Sequence, residues 1–197
     1  MLLMLSKEKL QTLYFKRGKS MQDIATILNC SLSKIKYWME KYSLQTRSIS
    51  EAIYLKHNPD GDPFRFRYPK NIKEGVLFGL GLGLYWGEGT KANLNSIRLG
   101  NTDPQLIKKF IEFLVHFFSI KKRDFKFGLQ LFNDIGVLEA MDFWTKNLKI
   151  NRSQFFKPTI TKSGSIGTYK KKSKYGVITV MYHNKKLRNL LVSLLPM

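Results

Sequence analysis

The chain has 197 residues, which at roughly 100–200 residues per domain allows one domain, or one domain with a small module. Apolar residues are 43% and charged residues 24%, a balance that supports a packed core and excludes global disorder. Lysine and arginine number 34 against 14 acids, a net charge of +20, so the expected partners are polyanions: nucleic acid first, an anionic membrane surface second.

The single cysteine, Cys30, excludes a disulfide framework and a cysteine-rich zinc site. His57, His116 and His183 are too scattered for a histidine-based zinc cluster. The apolar opening at 1–5 lacks the basic lead and small-residue cleavage site of a signal peptide. The longest apolar stretch, 75–87, is shorter than the ~20 residues of a membrane span. These features predict a soluble, reduced protein of the cytoplasm, nucleoid-associated if its host is bacterial.

In chain order, Leu10, Leu13 and Tyr14 predict a short amphipathic helix over 6–16, ended by Gly18. Ser20 caps a second helix over 21–28, and Asn29 supplies a turn residue tolerant of positive φ. Ser31 or Ser33 caps a third, with Ile35, Trp38 and Met39 inward. The cluster at 57–63, with two prolines, a glycine and two aspartates, marks a boundary. The predicted organisation is a module over 1–50, a linker over 51–73 and a second domain over 74–197.

That second domain opens on a glycine-spaced helix over 74–87. Ile97 and Leu99 then alternate with Arg98 as a strand. Asp103-Pro104 begins a helix to Phe118, a capping acid followed by proline at the first helical position. Phe125, Phe127, Leu129 and Leu131 alternate with Lys126, Gly128 and Gln130. Asp134 is predicted to cap a helix with Val137, Met141, Trp144 and Leu148 inward. A strand is placed within 155–160, a Gly/Ser/Lys loop over 161–174, a β-branched strand over 176–183, and a last helix capped by Asn184. The order α-β-α-β-α-β-β-α predicts an α+β fold with helices on a mostly antiparallel sheet.

Ala25 is the small residue where two helices nearly touch, with Ile24, Leu28, Cys30, Ile35 and Trp38 at the spacing that buries the second helix against the third. This pattern resembles the helix-turn-helix family. The resemblance implies a recognition helix presenting Ser31, Ser33, Lys34, Lys36, Tyr37 and Lys41 to a DNA major groove; a three-helix bundle without DNA function is the alternative.

Gly79, Gly83 and Gly87 recur every four residues and form one bare stripe, which lets two helix backbones pack closely. Glu88 follows, flanked by Gly87 and Gly89. An acid at a helix C-terminus opposes the macrodipole, and a metal cation there would offset it. A dinucleotide loop is disfavoured because no strand precedes the glycines. A buried glycine-rich helix with an unrelated Glu is the plainer alternative.

Gly83, Leu84, Glu88 and Gly89, with Gly87 in place of another small residue, resemble the LAGLIDADG family of homing endonucleases; Tyr85-Trp86 depart from its usual residues. The resemblance implies a saddle-shaped sheet over DNA, backed by LAGLIDADG-like helices, and helix-turn-helix segments accompany such enzymes. It implies that Glu88 is a catalytic metal ligand for Mg2+ (or Mn2+) in phosphodiester hydrolysis. It also implies that Gly79, Gly83 and Gly87 form a dimer interface. One motif is half a site, so a homodimer on a two-fold axis and a near-palindromic target follow.

No acidic residue follows Asp142, whereas 12 Lys or Arg do. Lys170, Lys171, Lys172 and Lys174 form a flexible phosphate-contacting arm by composition. Lys91, Arg98, Lys126 and Gln130 complete the predicted DNA-contacting set. The leading expectation is a site-specific endonuclease acting on double-stranded DNA. The alternatives are a non-catalytic transcriptional regulator with a degenerate LAGLIDADG domain, and an RNA-binding maturase.

Overall fold

A computed structural model describes residues 4–162 and 173–196. The chain divides into two compact units, Met1–Pro63 and Phe64–Met197, each with its own hydrophobic cluster.

In the first unit, helix α1 (Lys7–Gln11) continues into a π-helical turn at Thr12–Lys16, followed by α2 (Met21–Ile27), α3 (Leu32–Lys41) and α4 (Ile49–His57). Ser6, Ser20, Ser31 and Ser48 each cap a helix through the side-chain oxygen. Ser20 and Ser48 do so in reciprocal capping boxes with Asp23 and Glu51. Asn29 takes φ +46° in the α2–α3 turn. Ile24 and Ala25 pack on Leu10, Leu13, Tyr14, Ile35, Trp38 and Met39.

Residues 51–73, expected as a linker, are structured. Helix α4 belongs to the first unit, and Arg47 ties the segment before it down. Its guanidinium lies 3.9 Å over the Tyr14 ring and donates to the Tyr14, Gly18 and Lys19 carbonyls. Beyond Pro63, Phe64 and Phe66 pack on the second unit's core, and the backbone N–H groups of Arg65 and Arg67 donate to the Phe118 and Phe117 carbonyls.

The second unit runs α5 (Ile72–Glu88), β1 (Ile97–Asn101), α6 (Pro104–Phe118), β2 (Lys126–Phe132), α7 (Val137–Leu148), β3 (Thr159–Thr161), β4 (Val177–Tyr182) and α8 (Lys185–Ser193). This is the expected α+β order. The sheet order is β1-β4-β2-β3, antiparallel except for β2 with β3. Ile97, Leu99, Phe127, Leu129, Leu131, Ile178, Val180 and Tyr182 point into a core shared with the aromatic face of α6 and with Trp144. Two expectations need correction. The N-cap of α7 is Gly136, not Asp134. The strand expected within 155–160 is three residues, Thr159–Thr161, while Phe155 makes only an isolated parallel bridge to Phe127.

One ion cluster fastens the entry segment to this unit. Arg67 forks onto both Glu74 oxygens, at 2.9 and 3.1 Å, and His116 Nε2 lies 3.1 Å from Glu74. The Arg67 fork, the Lys70 N–H and His116 hold the Glu74 carboxyl down to about 2 from an ordinary 4.5. A depressed carboxylate stabilises the fold fully above its unfolded pKa, and that contribution is lost as pH falls from about 4.5 towards 2. Urea unfolding across this range is expected to show wild type losing its advantage over Glu74→Gln. A constant difference between the two from pH 7 to pH 2 would refute the linkage.

Candidate nucleic-acid interface

On α3, Ser33, Lys36 and Tyr37 are exposed and Lys34 is half-buried, while Ile35, Trp38 and Met39 face the core. The Ser31 hydroxyl accepts from the Lys34 N–H at 3.3 Å, so its first role is to cap the helix. Lys41 lies 4.7 Å over the Trp38 ring in the last turn, away from the helix N-terminus. Glu40 shares the exposed stripe with Ser33 and Tyr37 and was missed in the sequence reading. It sits seven residues after Ser33, a separation that returns a helix to the same face.

Helix α5 has two opposed glycine faces. Gly81 is buried, and a Cβ there would fall 2.1 Å from the Phe113 ring. Around Gly79, Gly83 and Gly87 a Cβ would meet nothing within 4 Å. Those three glycines and the exposed Ile72, Val76, Leu80 and Trp86 make an apolar strip that no part of the described chain covers. Glu88 ends the helix, exposed, with no hydrogen bond or ion pair among the described residues.

The offset to the helix dipole comes partly from an unexpected source. The Lys91 ammonium donates to the Trp86 carbonyl, so a cation of the chain itself caps the end of α5. The chain then joins the sheet at once: Gly89 bridges Leu99, and the Thr90 N–H donates to the Arg98 carbonyl at 2.9 Å. Glu88 is thereby held beside the start of the sheet. Gly89 allows this because a Cβ there would lie 2.4 Å from the Tyr85 carbonyl oxygen.

The outer face of the sheet is read from its register. Arg98, Met181 and Lys126 form one cross-strand row, Gly100, Thr179 and Gly128 the next, and Val177, Gln130 and Thr159 a third. Lys126 and Gln130 are exposed, and Arg98 is half-buried. The structure therefore brings Arg98, Lys126 and Gln130 onto one face. Lys174 goes elsewhere: its ammonium lies 5.2 Å over the Tyr175 ring, which stacks on Phe143 of α7, and the Tyr175 hydroxyl, followed by Glu139 of α7, raises its pKa. Lys170, Lys171 and Lys172 lie outside the described residues. Positive charge also gathers on the helical side, where burial and then Lys149 and Lys108 push the Lys122 ammonium down.

Among the described residues, no three His, Cys, Asp or Glu side chains cluster as a metal site, and no helix is long and apolar enough to cross a membrane. No family model, curated protein or solved structure matches the chain.

Proposed function

We propose that this protein is a site-specific DNA-binding protein that acts as a homodimer and cuts double-stranded DNA with Mg2+ (or Mn2+). One observation carries the reading: α5 ends in an exposed carboxylate tied to the edge of a sheet with a basic outer face, and the same helix bears an uncovered apolar strip centred on glycines. A second copy seated on that strip would bury Val76 and Leu80 and bring the two helices to backbone distance. The two Glu88 carboxylates would then lie near one another.

The donor set fits a hard cation only in this paired form. One carboxylate per chain is too few, whereas two carboxylates with phosphate oxygens and water supply the oxygen ligands that Mg2+ prefers. Such an ion would stabilise charge developing on the scissile phosphate and lower the pKa of an attacking water. The chain's own residues bind and orient: Lys126 neutralises phosphate, Arg98 and Gln130 reach base edges, and α3 adds a second reading element.

The test is incubation with a randomised duplex DNA library, with and without Mg2+, followed by sequencing of bound and cut molecules. The expected result is cut ends flanking a near-palindromic sequence, present only with the metal. Selection of a sequence without cutting would replace the enzyme by the regulator. Selection of RNA over duplex DNA would replace both by the maturase.

A further inference from the structure

We propose that Arg98 is a pre-positioned reader of guanine, and that Ser96 and Asn93 are its positioning residues. This rests on the reading that the outer face of the sheet receives duplex DNA.

Ser96 is fully buried, a rare place for a serine without a polar task. Its hydroxyl accepts from Arg98 Nε at 2.9 Å and donates to Asn93 Oδ1 at 2.9 Å. That Asn93 oxygen also accepts from the backbone N–H groups of Asn95, at 3.0 Å, and Ser96, at 2.9 Å. The Asn93 carbonyl in turn accepts from Arg188 Nε of α8 at 3.1 Å, and Arg188 also donates to the Lys91 carbonyl. A chain of hydrogen bonds thus runs from α8 through the α5–β1 loop to one guanidinium on the outer face.

The geometry of the anchor selects the ligand. With Nε committed to Ser96, the end-on pair Nη1 and Nη2 remains, and neither has a hydrogen-bond partner among the described residues. Two parallel N–H donors match O6 and N7 of guanine, the acceptors that face the major groove. A phosphate would accept the same fork, and the two ligands separate by sequence dependence: a phosphate contact acts on every duplex alike, a guanine contact at one base position. In the neighbouring row Gly100 and Thr179 are small, so a base edge can descend beside Arg98 on its own strand, while the Met181 methyl leans over Gly128. His183 lies close to Arg98; burial, and then the Arg98 charge, lower its pKa and so disfavour a second cation there. Holding the side chain in advance removes rotamer entropy that binding would otherwise have to overcome.

The experiment compares base preferences selected from a duplex library, together with affinity for an unrelated duplex, for wild type, Ser96→Ala and Arg98→Lys. Wild type is expected to prefer guanine at one position per half-site by about tenfold or more, the scale of a bidentate base contact. Arg98→Lys, which keeps the charge, should abolish that preference and leave affinity for the unrelated duplex within about twofold. Ser96→Ala should weaken the preference at the same position and at no other. Arg98→Lys decides the proposal even if Ser96→Ala does not fold, because residue 98 is on the surface of the sheet. Unchanged preferences in Arg98→Lys, or an equal loss of affinity for every sequence, would make Arg98 a phosphate contact and overturn the inference, while DNA binding by this face would stand. Failure of wild type to select any duplex would instead refute the reading beneath it.

Discussion

Gly81→Ala is expected to destabilise the second unit by about 2 kcal/mol, while Gly83→Ala is expected to stabilise the monomeric unit by about 0.5–1 kcal/mol, at concentrations too low for the helices of two copies to pair. Both changes relieve the same conformational freedom in the middle of α5, and each gains helix propensity. They differ in what the new methyl meets. At 81 it would lie 2.1–2.6 Å from three atoms of the Phe113 ring. That ring is fully buried, with Phe78, Phe110, Phe117 and Phe118 at centroid distances of 5.5–6.0 Å, so it has nowhere to retreat. Overpacking of this kind costs about 1–3 kcal/mol, and more where the neighbours are rigid. At 83 the methyl enters open space. Thermal or urea unfolding of the two variants checks the pair.

The outward face supports a second measurement on the same helix. A Cβ at position 83 meets nothing within 4 Å among the described residues, so Gly83→Leu is expected to fold and to sediment as a monomer at concentrations where wild type is expected to sediment as a dimer. A partner helix packed backbone to backbone has no room for a leucine, and relief would require the helices to separate. A wild-type protein that stays monomeric at every concentration, and on DNA, would end the paired-site reading. Sequence spacing separates the 79/83/87 stripe from Gly81, since a four-residue period keeps the first three on one side. It does not say which stripe turns inward. That depends on where Phe113 sits, 32 residues later in the chain.

The same division between local and distant causes runs through the molecule. Asp103-Pro104, Asn184 and the alternation over 125–132 are legible because capping and side-chain alternation are settled within a few residues, and the structure keeps all three. The shortness of β3 is not, since its length depends on pairing with β2, about 30 residues away in the chain. Asp134 misleads because an acid before an apolar run signals a cap in general, whereas this backbone delays the helix until Gly136. The linker misleads for a related reason. The turn cluster at 57–63 signals a boundary, whereas Arg47 and Arg67 become fasteners only through their carbonyl and carboxylate partners in folded space. Within the candidate site, Glu88 and the basic outer face are legible from type and alternation. Ser96 and Asn93 are not, because small polar residues in a loop carry no signal until the guanidinium they hold is located.

Glu88→Gln is expected to abolish DNA cleavage, by on the order of 10²–10³-fold or more, while leaving DNA binding intact or slightly tighter. The substitution keeps the shape of the side chain and removes the charge that would hold a hard divalent cation. It leaves the local structure in place: Glu88 is exposed, it bonds to nothing in the described chain, and the end of α5 is secured by Lys91 on the Trp86 carbonyl and by the Gly89 bridge to Leu99. Unfolding therefore cannot account for a loss of activity, and a melting curve superimposable on that of wild type will establish this. The proposed phosphate and base contacts lie elsewhere, on Lys126, Gln130, Arg98 and α3, so affinity is expected to be retained, and losing a carboxylate near the phosphates would remove a repulsion. The enzyme and the regulator separate in the wild-type lane. An endonuclease cuts in Mg2+ or Mn2+ and stops on chelation, and its Glu88→Gln form binds without cutting. A regulator cuts in neither form, and the substitution changes little. Equal cutting by both proteins would remove Glu88 from the site, and the cation offset at the end of α5 would then be supplied by Lys91 alone.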